Sequence, residues 1–292
     1  MYDICSIGHI TRDKIITPEK TVFMAGGTSF YMSRGISRLP RRVSYQLVTK
    51  VGEGHRGEVA KIKALGIDTI CLPSRHTVYF ENSYGADSNN RTQRVLAKAD
   101  AFTVDDVSSL DAKVFHLGSL LADDFPPEVV ECLAEKGMVS IDVQGYLREV
   151  IGQDVRATAF RDRDRILACT GILKLNEHEM RVIADSDDAR TVARDIAARG
   201  VSEVVITLGS YGSVIYAGGS FYDIPAYRPR RVVDTTGCGD TFSTGYLYCR
   251  SLGASPDEAG RYAAAMCTLK LEHSGPFDGT EEDIKEILKN EK

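Results

Sequence analysis

Near the carboxyl end of the chain, a glycine-bearing turn lies between an apolar pair and a helical pattern. The turn, at residues 234–240, reads DTTGCGD. Glycine lets the backbone approach a ligand closely, and the start of a helix offers free N–H groups and the positive end of the helix dipole. The pattern predicts a phosphate-binding anion hole formed by Gly237, Cys238 and Gly239. Asp240 would repel a phosphate there, yet it is well placed to accept a proton from an attacking hydroxyl group.

Other phosphate-binding motifs do not account for this turn. A dinucleotide-binding turn needs a third glycine at position 242, where the chain has Phe242, and a P-loop needs a Gly-Lys pair, which the sequence lacks. The H-R-D and D-F-G loops of protein kinases are also missing from the sequence. The alternative that the residues leave open is structural, with Asp240 in an acidic turn that merely caps a helix.

Further segments carry polar residues or glycines where predicted strands give way to turns or helices. Asp13 follows the first strand, and the pair Gly26–Gly27 precedes a helix. NEHE at 176–179 opens a helix after a strand, and TLGSYG at 207–212 overlaps the end of the next buried strand. Taken singly, these residues have simpler interpretations: Asn176 can be a helix N-cap, and Asp13 can be a turn residue.

Together, the segments resemble the ribokinase-like (PfkB) family of carbohydrate kinases. DTTGCGD is similar to the family signature D-T-x-G-A-G-D, and Gly26–Gly27 resembles the N-terminal double glycine. Asn176 and Glu179 match the N-x-x-E motif, and residues 207–212 match the T-L-G-x-x-G turn. The motifs follow the family's order, and the resemblance covers essentially the whole chain.

The resemblance implies a kinase that uses ATP and Mg²⁺ and transfers the γ-phosphate to a hydroxyl group. Asp240 would be the general base, and the Gly237-Cys238-Gly239 turn would donate backbone N–H groups to the developing charge. The resemblance also assigns binding residues: Asp13, Gly26, Gly27, Gln144 and Arg148 for the acceptor, Asn176, Thr207, Gly209 and Gly212 for the nucleotide, and Asn176 with Glu179 for magnesium through water. Whether a monovalent cation near Asp234 and Ser274 is a further cofactor stays open at this point.

Two segments favour a cyclitol as the acceptor. GGTSFY resembles the myo-inositol kinase branch of the family, and its Tyr31 stands where many sugar kinases carry Asn. IDVQGYLR at 141–148 is similar to the same branch. A polyol needs donors and acceptors around its ring, and Asp13, Gln144 and Arg148 supply both. A kinase for another sugar or a nucleoside stays open, as does a non-catalytic sugar or nucleotide sensor, although the intact acid in the turn argues against a sensor.

Alternating apolar segments and helical patterns predict the fold. Repeated β–α units indicate a ribokinase-like three-layer α/β/α sandwich with a mostly parallel central sheet, in one domain over 1–292. The regions at about 14–25 and 77–103 break this rhythm and predict short strands of a lid over the cleft, the second around a turn at 85–90. A hairpin with a purely structural role is the alternative. Exposed lid strands need cover, so a homodimer through the lid is plausible.

The individual elements follow from these patterns. The predicted strands are Tyr2–Gly8, Val43–Val48, Lys113–Leu117, Val139–Val143, Ile172–Leu175 and Val204–Leu208. The predicted helices are Gly27–Leu39, Gly57–Leu65, Pro127–Glu135, Ala189–Arg199, Gly239–Leu252, Pro256–Glu272 and Glu281–Lys289.

The composition excludes several classes of protein. The 292 residues are 43% hydrophobic and 26% charged, which is ordinary for a globular chain and argues against disorder. A net charge of −5 disfavours a nucleic-acid partner. No apolar run approaches the ~18 residues of a membrane span, and the first residues do not read as a signal peptide, so no membrane partner is expected.

The cysteines favour a reducing, cytoplasmic location. Seven are scattered along the chain without a CxxC pair or zinc spacing, which is typical of reduced thiols. Cys238 replaces the usual Ala of the family signature and would act through its backbone. Its thiol is interpreted either as inert or, because it stands at a helix start, as a reactive group with a lowered pKa.

Overall fold

Strands and helices alternate along most of the chain, as the sequence predicts. The computed structural model describes residues 1–85, 91–184 and 186–290, so most of the predicted lid turn at 85–90 lies outside the described residues. The strands are β1 (Tyr2–Gly8), β2 (Thr11–Ile16), β3 (Thr21–Gly26), β4 (Tyr45–Val51), β5 (Asp68–Pro73), β6 (Tyr79–Tyr84), β7 (Arg91–Ala97), β8 (Ala112–Gly118), β9 (Met138–Asp142), β10 (Arg148–Ile151), β11 (Asp154–Ala157), β12 (Ile172–Asn176), β13 (Glu203–Thr207), β14 (Ser213–Ala217) and β15 (Ser220–Ile224).

The helices lie between and after these strands. They are α1 (Thr28–Ile36), α2 (Arg56–Lys63), α3 (Val104–Val107), α4 (Pro127–Ala134), α5 (Arg163–Ala168), α6 (Glu177–Ile183), α7 (Ala189–Ala197), α8 (Cys238–Ser251), α9 (Pro256–Leu271) and α10 (Glu281–Lys289). Each predicted strand and helix is found, with bounds that differ by a few residues at most. β5, α3, α5, β14 and β15 were not predicted from the sequence.

The larger sheet has nine strands in the order β15-β14-β13-β12-β9-β8-β1-β4-β5. Every neighbouring pair from β13 to β5 is parallel, and β14 and β15 extend the sheet as an antiparallel edge. The prediction of a mostly parallel central sheet is therefore confirmed. Because the parallel strands point the same way, their carboxyl ends form one edge, where ligands bind in open α/β sheets.

Two apolar cores cover the two faces of this sheet. Along β12, Leu173 and Leu175 belong to one core and Ile172 to the other, since successive side chains of a strand point to opposite faces. Helices α3 to α7 pack into the first core, and α1, α2, α8, α9 and α10 pack into the second. Helices on both faces confirm the three-layer arrangement.

The smaller sheet is the predicted lid, and it is larger than predicted. It has six strands in the order β10-β11-β7-β6-β2-β3, so β2 starts at Thr11 rather than near 14, and the hairpin β10–β11 was missed. β10 and β11 have four residues each and together carry four charged side chains, so they lack the apolar alternation that predicts a strand. Val78, Phe80 and Val95 pack this sheet against Leu120 and Leu121 of the body.

Two further predictions concern membranes and thiols. Within the described ranges, no helix is long and apolar enough to cross a membrane. All seven cysteines lie in the described part of the chain and are free thiols.

Candidate active site

The predicted site residues gather at the carboxyl edge of the large sheet. Asp142, Asn176 and Thr207 end the adjacent strands β9, β12 and β13. A groove of about 640 Å³ lies at the opposite edge, beside Met138 and Gly171, and none of the predicted site residues lines it. The convergent polar groups, rather than the size of a groove, therefore mark the candidate site.

The DTTGCGD turn leads directly into α8. Gly237 is the residue before the helix and has a φ of 78°, in the left-handed region that favours glycine. A Cβ at this position would stand 2.4 Å from the ring of Tyr31, so any larger residue would collide with that ring. Thr241 closes the first turn by donating a hydrogen bond of 2.8 Å to the Gly237 carbonyl. In the same turn the Cys238 N–H donates a hydrogen bond of 3.2 Å to the Thr235 carbonyl.

Asp240 lies in the first turn of α8, close to the start of α1. Its half-buried carboxylate accepts a hydrogen bond from the Thr28 hydroxyl group. Burial and the negative charge of Asp142 raise its pKa to about 6, while Lys174 and Arg148 oppose that rise. The carboxylate is therefore ionised at neutral pH and is a stronger base than an ordinary aspartate, which suits proton abstraction.

A buried ion pair stands behind the anion hole. Lys174 Nζ lies 2.6 Å from Asp142 Oδ2, and the two residues are register partners on adjacent parallel strands. A Cβ on Gly239 would lie 2.8 Å from the same Nζ, so the ammonium group faces the backbone of the turn. Although burial alone would lower it, the pKa of Lys174 is raised by Asp142 and Glu179. The turn thus faces the ammonium end of an ion pair in addition to the positive end of the helix dipole.

Lys174 and Asp142 were not among the predicted site residues. The signal for Lys174 was present, because a lysine inside the otherwise apolar strand ILKLN is anomalous in a buried parallel sheet. Asp142 lay within a segment quoted only for its resemblance to a branch of the family. Burial raises the pKa of Asp142, but Lys174 outweighs that effect and holds it below its ordinary value.

Asn176 and Glu179 form a reciprocal cap at the start of α6. Asn176 Oδ1 accepts hydrogen bonds from the backbone N–H groups of His178 and Glu179, and Glu179 Oε2 accepts one of 2.9 Å from the Asn176 N–H. The capping interpretation of Asn176 is confirmed. Burial and Asp142 raise the pKa of the Glu179 carboxyl group, so this side chain favours a nearby positive charge.

Direct metal ligation by the protein is not evident. Among residues 1–85, 91–184 and 186–290, no group of three or more His, Cys, Asp and Glu side chains is arranged to hold a metal ion. The negative charge of Asp142 nevertheless raises the pKa of both Glu179 and Asp240, and Lys174 opposes both rises. A cation held through water fits this excess of carboxylates, as expected for strongly hydrated Mg²⁺.

The predicted nucleotide turn follows β13. Thr207 ends the strand, and Gly209 and Gly212 both have positive φ, at 57° and 91°. A Cβ on Gly212 would stand 2.1 Å from the carbonyl oxygen of Ile224, so packing inside the chain already requires glycine there. Tyr211, between the two glycines, is 88% exposed and so lies on the open side of the turn.

The predicted acceptor residues lie on the lid side. Thr11 donates a hydrogen bond of 2.7 Å to Asp13 Oδ1 on β2, and a Cβ on Gly26 would stand 2.3 Å from Asp13 Oδ2. The absence of a side chain at Gly26 therefore allows Asp13 to lie close to the backbone. Gly27 is followed directly by Thr28, which hydrogen-bonds Asp240. The double glycine therefore connects the lid strand β3 to the residue that hydrogen-bonds Asp240.

Gln144 and Arg148 approach the site from another side. The Gln144 N–H donates a hydrogen bond of 3.2 Å to Asp142 Oδ1. Arg148 begins β10 of the lid, and its charge lowers the pKa of both Asp240 and Glu179. Both residues are thus near the carboxylates, although a role in acceptor binding stays a prediction.

Cys238 does not have the low pKa of a reactive thiol. Burial, helped by the charges of Asp234 and Asp240, raises the pKa of its thiol to about 11, although Lys270 opposes this. The interpretation of an inert side chain that contributes its backbone is favoured.

A glycine-bearing turn at a helix start, a carboxylate beside it and a second sheet next to the carboxyl edge of the main sheet suit a small-molecule phosphotransferase of α/β fold. The chain belongs to the pfkB family of carbohydrate kinases, whose family model matches residues 1–283. A cytidine kinase of Thermococcus kodakarensis is 30% identical to this chain over 96% of it and 100% of the relative. An inositol 3-kinase of Arabidopsis thaliana is 25% identical over 92% of this chain and 74% of its own length.

Solved structures confirm the ribokinase-like fold. A pyrophosphate-dependent kinase of the ribokinase family, complexed with a pyrophosphate analogue and myo-inositol, superposes with a TM-score of 0.84 at 23% identity, over 97% of this chain and 99% of that one. Arabidopsis thaliana ribokinase, complexed with ribose and ATP, superposes with a TM-score of 0.78 at 18% identity, over 99% of both chains. Fold, family and kinase activity are confirmed, and the protein is a sugar or nucleoside kinase.

Proposed function

We propose that the protein transfers the γ-phosphate of ATP to a hydroxyl group of a sugar or cyclitol, with a myo-inositol-like polyol as the preferred acceptor. The observation that supports this most strongly is the Asp240 carboxylate. It is half-buried at the start of α8, hydrogen-bonded to Thr28, and has a pKa of about 6. A base of this kind beside an anion hole suits hydroxyl activation.

The residues divide the reaction between them. Asp240 accepts the proton of the acceptor hydroxyl group as the oxygen attacks. The N–H groups of Gly237, Cys238 and Gly239, supported by the Lys174 charge, stabilise the negative charge that develops on the transferred group. Bound Mg²⁺ supplies further charge neutralisation at the phosphates, and Asn176 and Glu179 would hold it through water.

The acceptor end supports a polyhydroxylated ligand. Asp13 supplies a carboxylate, Gln144 an amide and Arg148 a guanidinium group, so the cleft offers both acceptors and donors. The inositol 3-kinase relative and the myo-inositol complex of a structural neighbour agree with a cyclitol. A nucleoside is the second candidate, because the cytidine kinase relative is more similar in sequence and matches over its whole length.

An acceptor and donor panel tests the proposal. Product phosphate esters are measured with myo-inositol, ribose and cytidine, each offered with MgATP and with magnesium pyrophosphate. We expect kcat/KM for myo-inositol with ATP to exceed that for cytidine by at least tenfold. Preference for cytidine would replace the cyclitol proposal with the nucleoside one. Binding of polyol or nucleotide without turnover of any acceptor would indicate a sensor and contradict the proposal.

The assembly and location follow from weaker features. The edge strand β3 exposes Val22 and Phe23, the latter by 54%, which is a surface that a second copy would cover. We therefore propose a homodimer through the lid, to be tested by sedimentation of the wild type and Phe23→Ser. A single domain over 1–292 and a cytoplasmic location, supported by seven free thiols, complete the proposal.

A further inference from the structure

A buried lysine lies beneath the anion-hole turn. Lys270 of α9 is 1% exposed, and its Nζ donates a hydrogen bond of 2.7 Å to the carbonyl oxygen of Asp234. The same Nζ lies 3.4 Å from Asp234 Oδ2. Lysine is almost never fully buried unless its charge is paired, so this residue has a specific partner in Asp234.

Asp234 is also bound from two other directions. Its Oδ1 accepts a hydrogen bond of 2.9 Å from the Thr236 N–H, and its Oδ2 accepts one of 3.1 Å from the Gly275 N–H. Asp234 therefore joins α9, the loop at Gly275 and the turn that leads into Gly237. Movement of this residue would displace the turn that forms the anion hole.

The sequence left open whether a monovalent cation binds near Asp234 and Ser274. Such an ion would be coordinated by the carbonyl and carboxylate oxygens of Asp234. The Lys270 ammonium group already contacts the carbonyl oxygen and Oδ2 of that residue. A second positive charge a few ångströms from this ammonium group would be repelled. The residues present therefore do not fit a monovalent cation at this place.

We propose that Lys270 is a positioning residue whose ammonium group replaces a monovalent cation, so that phosphoryl transfer does not depend on K⁺. The charge is fixed to α9, which packs against α8. It holds the Asp234 carbonyl and carboxylate, and through them the backbone that precedes Gly237. The proposal rests on the proposed kinase activity, but ion binding can be measured without turnover.

The wild-type protein gives the first test. Activity and melting temperature are measured at equal ionic strength in KCl, NaCl and tetramethylammonium chloride, whose large cation cannot replace K⁺. We expect kcat to agree within about twofold and the melting temperature to be the same in the three salts. A tenfold activation by K⁺, or a rise in melting temperature specific to K⁺, would overturn the proposal. The melting temperature responds to ion binding even if the proposed acceptor is wrong.

Two variants test the positioning role. Lys270→Met keeps most of the side-chain volume and removes the charge, and a misplaced anion hole is expected to lower kcat by about 10- to 100-fold with a smaller change in the KM for nucleotide. Lys270→Ala opens space beside Asp234, whose side chain is 22% exposed and so can be reached by ions. We expect K⁺ or ethylammonium to restore part of its kcat and raise its melting temperature.

Thr268→Val is the matched control. Thr268 is buried on the same helix, and its hydroxyl group contacts the carbonyl oxygens of Ala264 and Tyr227 rather than the turn at 234–240. Its kcat should be near wild type and indifferent to K⁺. A folded Lys270→Met protein with wild-type kcat, or a Lys270→Ala protein that neither cation restores, would show that Lys270 only packs the core. If both variants fail to fold, the salt comparison on the wild type still decides whether the ion is required.

Discussion

Replacing Thr28 with valine removes the hydroxyl group that hydrogen-bonds the Asp240 carboxylate, while the volume of the side chain is kept. The hydroxyl group favours the ionised carboxylate, so its loss must raise the pKa of Asp240 above the wild-type value of about 6. A hydrogen bond to a charged group contributes about 1.5–3 kcal/mol, and about 1.4 kcal/mol corresponds to one pH unit. Because water can replace part of the lost bond, we expect a rise of about one pH unit.

The assay is the pH dependence of kcat/KM for the acceptor between pH 5 and pH 9. A base must be ionised to accept a proton, so the rate falls below its pKa and reaches a plateau above it. At pH 6 the wild type is about half ionised and Thr28→Val about one tenth, so the variant should be roughly fivefold slower there and equal near pH 9. Titration of the nucleotide is common to both proteins and cancels in the comparison.

Thr170→Val is the control for this experiment. Thr170 is buried, its hydroxyl group bonds the Ile166 carbonyl, and it precedes β12 at the edge of the sheet opposite the site. Its profile should coincide with that of the wild type. A Thr28→Val profile that also coincides with the wild type, or a wild-type rate that stays flat down to pH 5, would refute the assignment of Asp240 as the titrating base.

Three further predictions concern stability, the anion hole and the acceptor. Asp240→Asn should increase the free energy of unfolding at pH 8 by about 1–3 kcal/mol, because a carboxyl group whose pKa is raised by folding destabilises the folded state above that pKa. The gain in stability should vanish near pH 4. Urea unfolding at the two pH values measures the difference. Gly239→Val should fold but lose at least about 10²-fold in kcat, because its side chain would displace Lys174 and block the phosphate. Gly57→Val, at a helical glycine with open space around its Cβ position, is the control for circular dichroism and kinetics. Wild-type turnover in Gly239→Val would exclude the anion hole. Asp13→Ala should lower kcat/KM for the acceptor by roughly ten- to a few hundred-fold, because the acceptor loses its hydrogen bonds to a charged carboxylate. Nucleotide affinity, measured by calorimetry, should be unchanged. Equal losses for both ligands would show that the role of Asp13 is structural.

Much of the fold could be predicted because local patterns and long-range contacts agree. The strand Tyr2–Gly8 and the helix Glu281–Lys289 were predicted with their observed bounds, since apolar periodicity and helix caps are local signals. The hairpin of β10 and β11 was missed because its strands are short, charged and held by pairing with β7. Strands of this kind depend on their neighbours more than on their own residues.

In the site, too, local motifs could be predicted from the sequence and long-range contacts could not. The glycines and acids of the turns could be recognised because their spacing along the chain is fixed. The ion pair of Lys174 with Asp142 could not, because it joins strands 32 residues apart and exists only once β9 and β12 are neighbours. The contact of Lys270 with Asp234 likewise joins residues 36 apart, because α9 lies against the turn that precedes α8. The charges that set the pKa of Asp240 are therefore brought together by the order of the strands in the sheet, which no local sequence motif specifies.

The most direct test of the account is the turnover of Asp240→Asn measured beside its nucleotide binding. Asparagine keeps the shape of the side chain and removes the base, so kcat with the best acceptor should fall by ~10²–10⁴-fold. Nucleotide affinity in calorimetric titration should be unchanged or slightly stronger, because a negative charge beside the phosphates is lost. A variant that binds nucleotide and keeps most of the wild-type turnover would contradict the central claim that Asp240 is the general base.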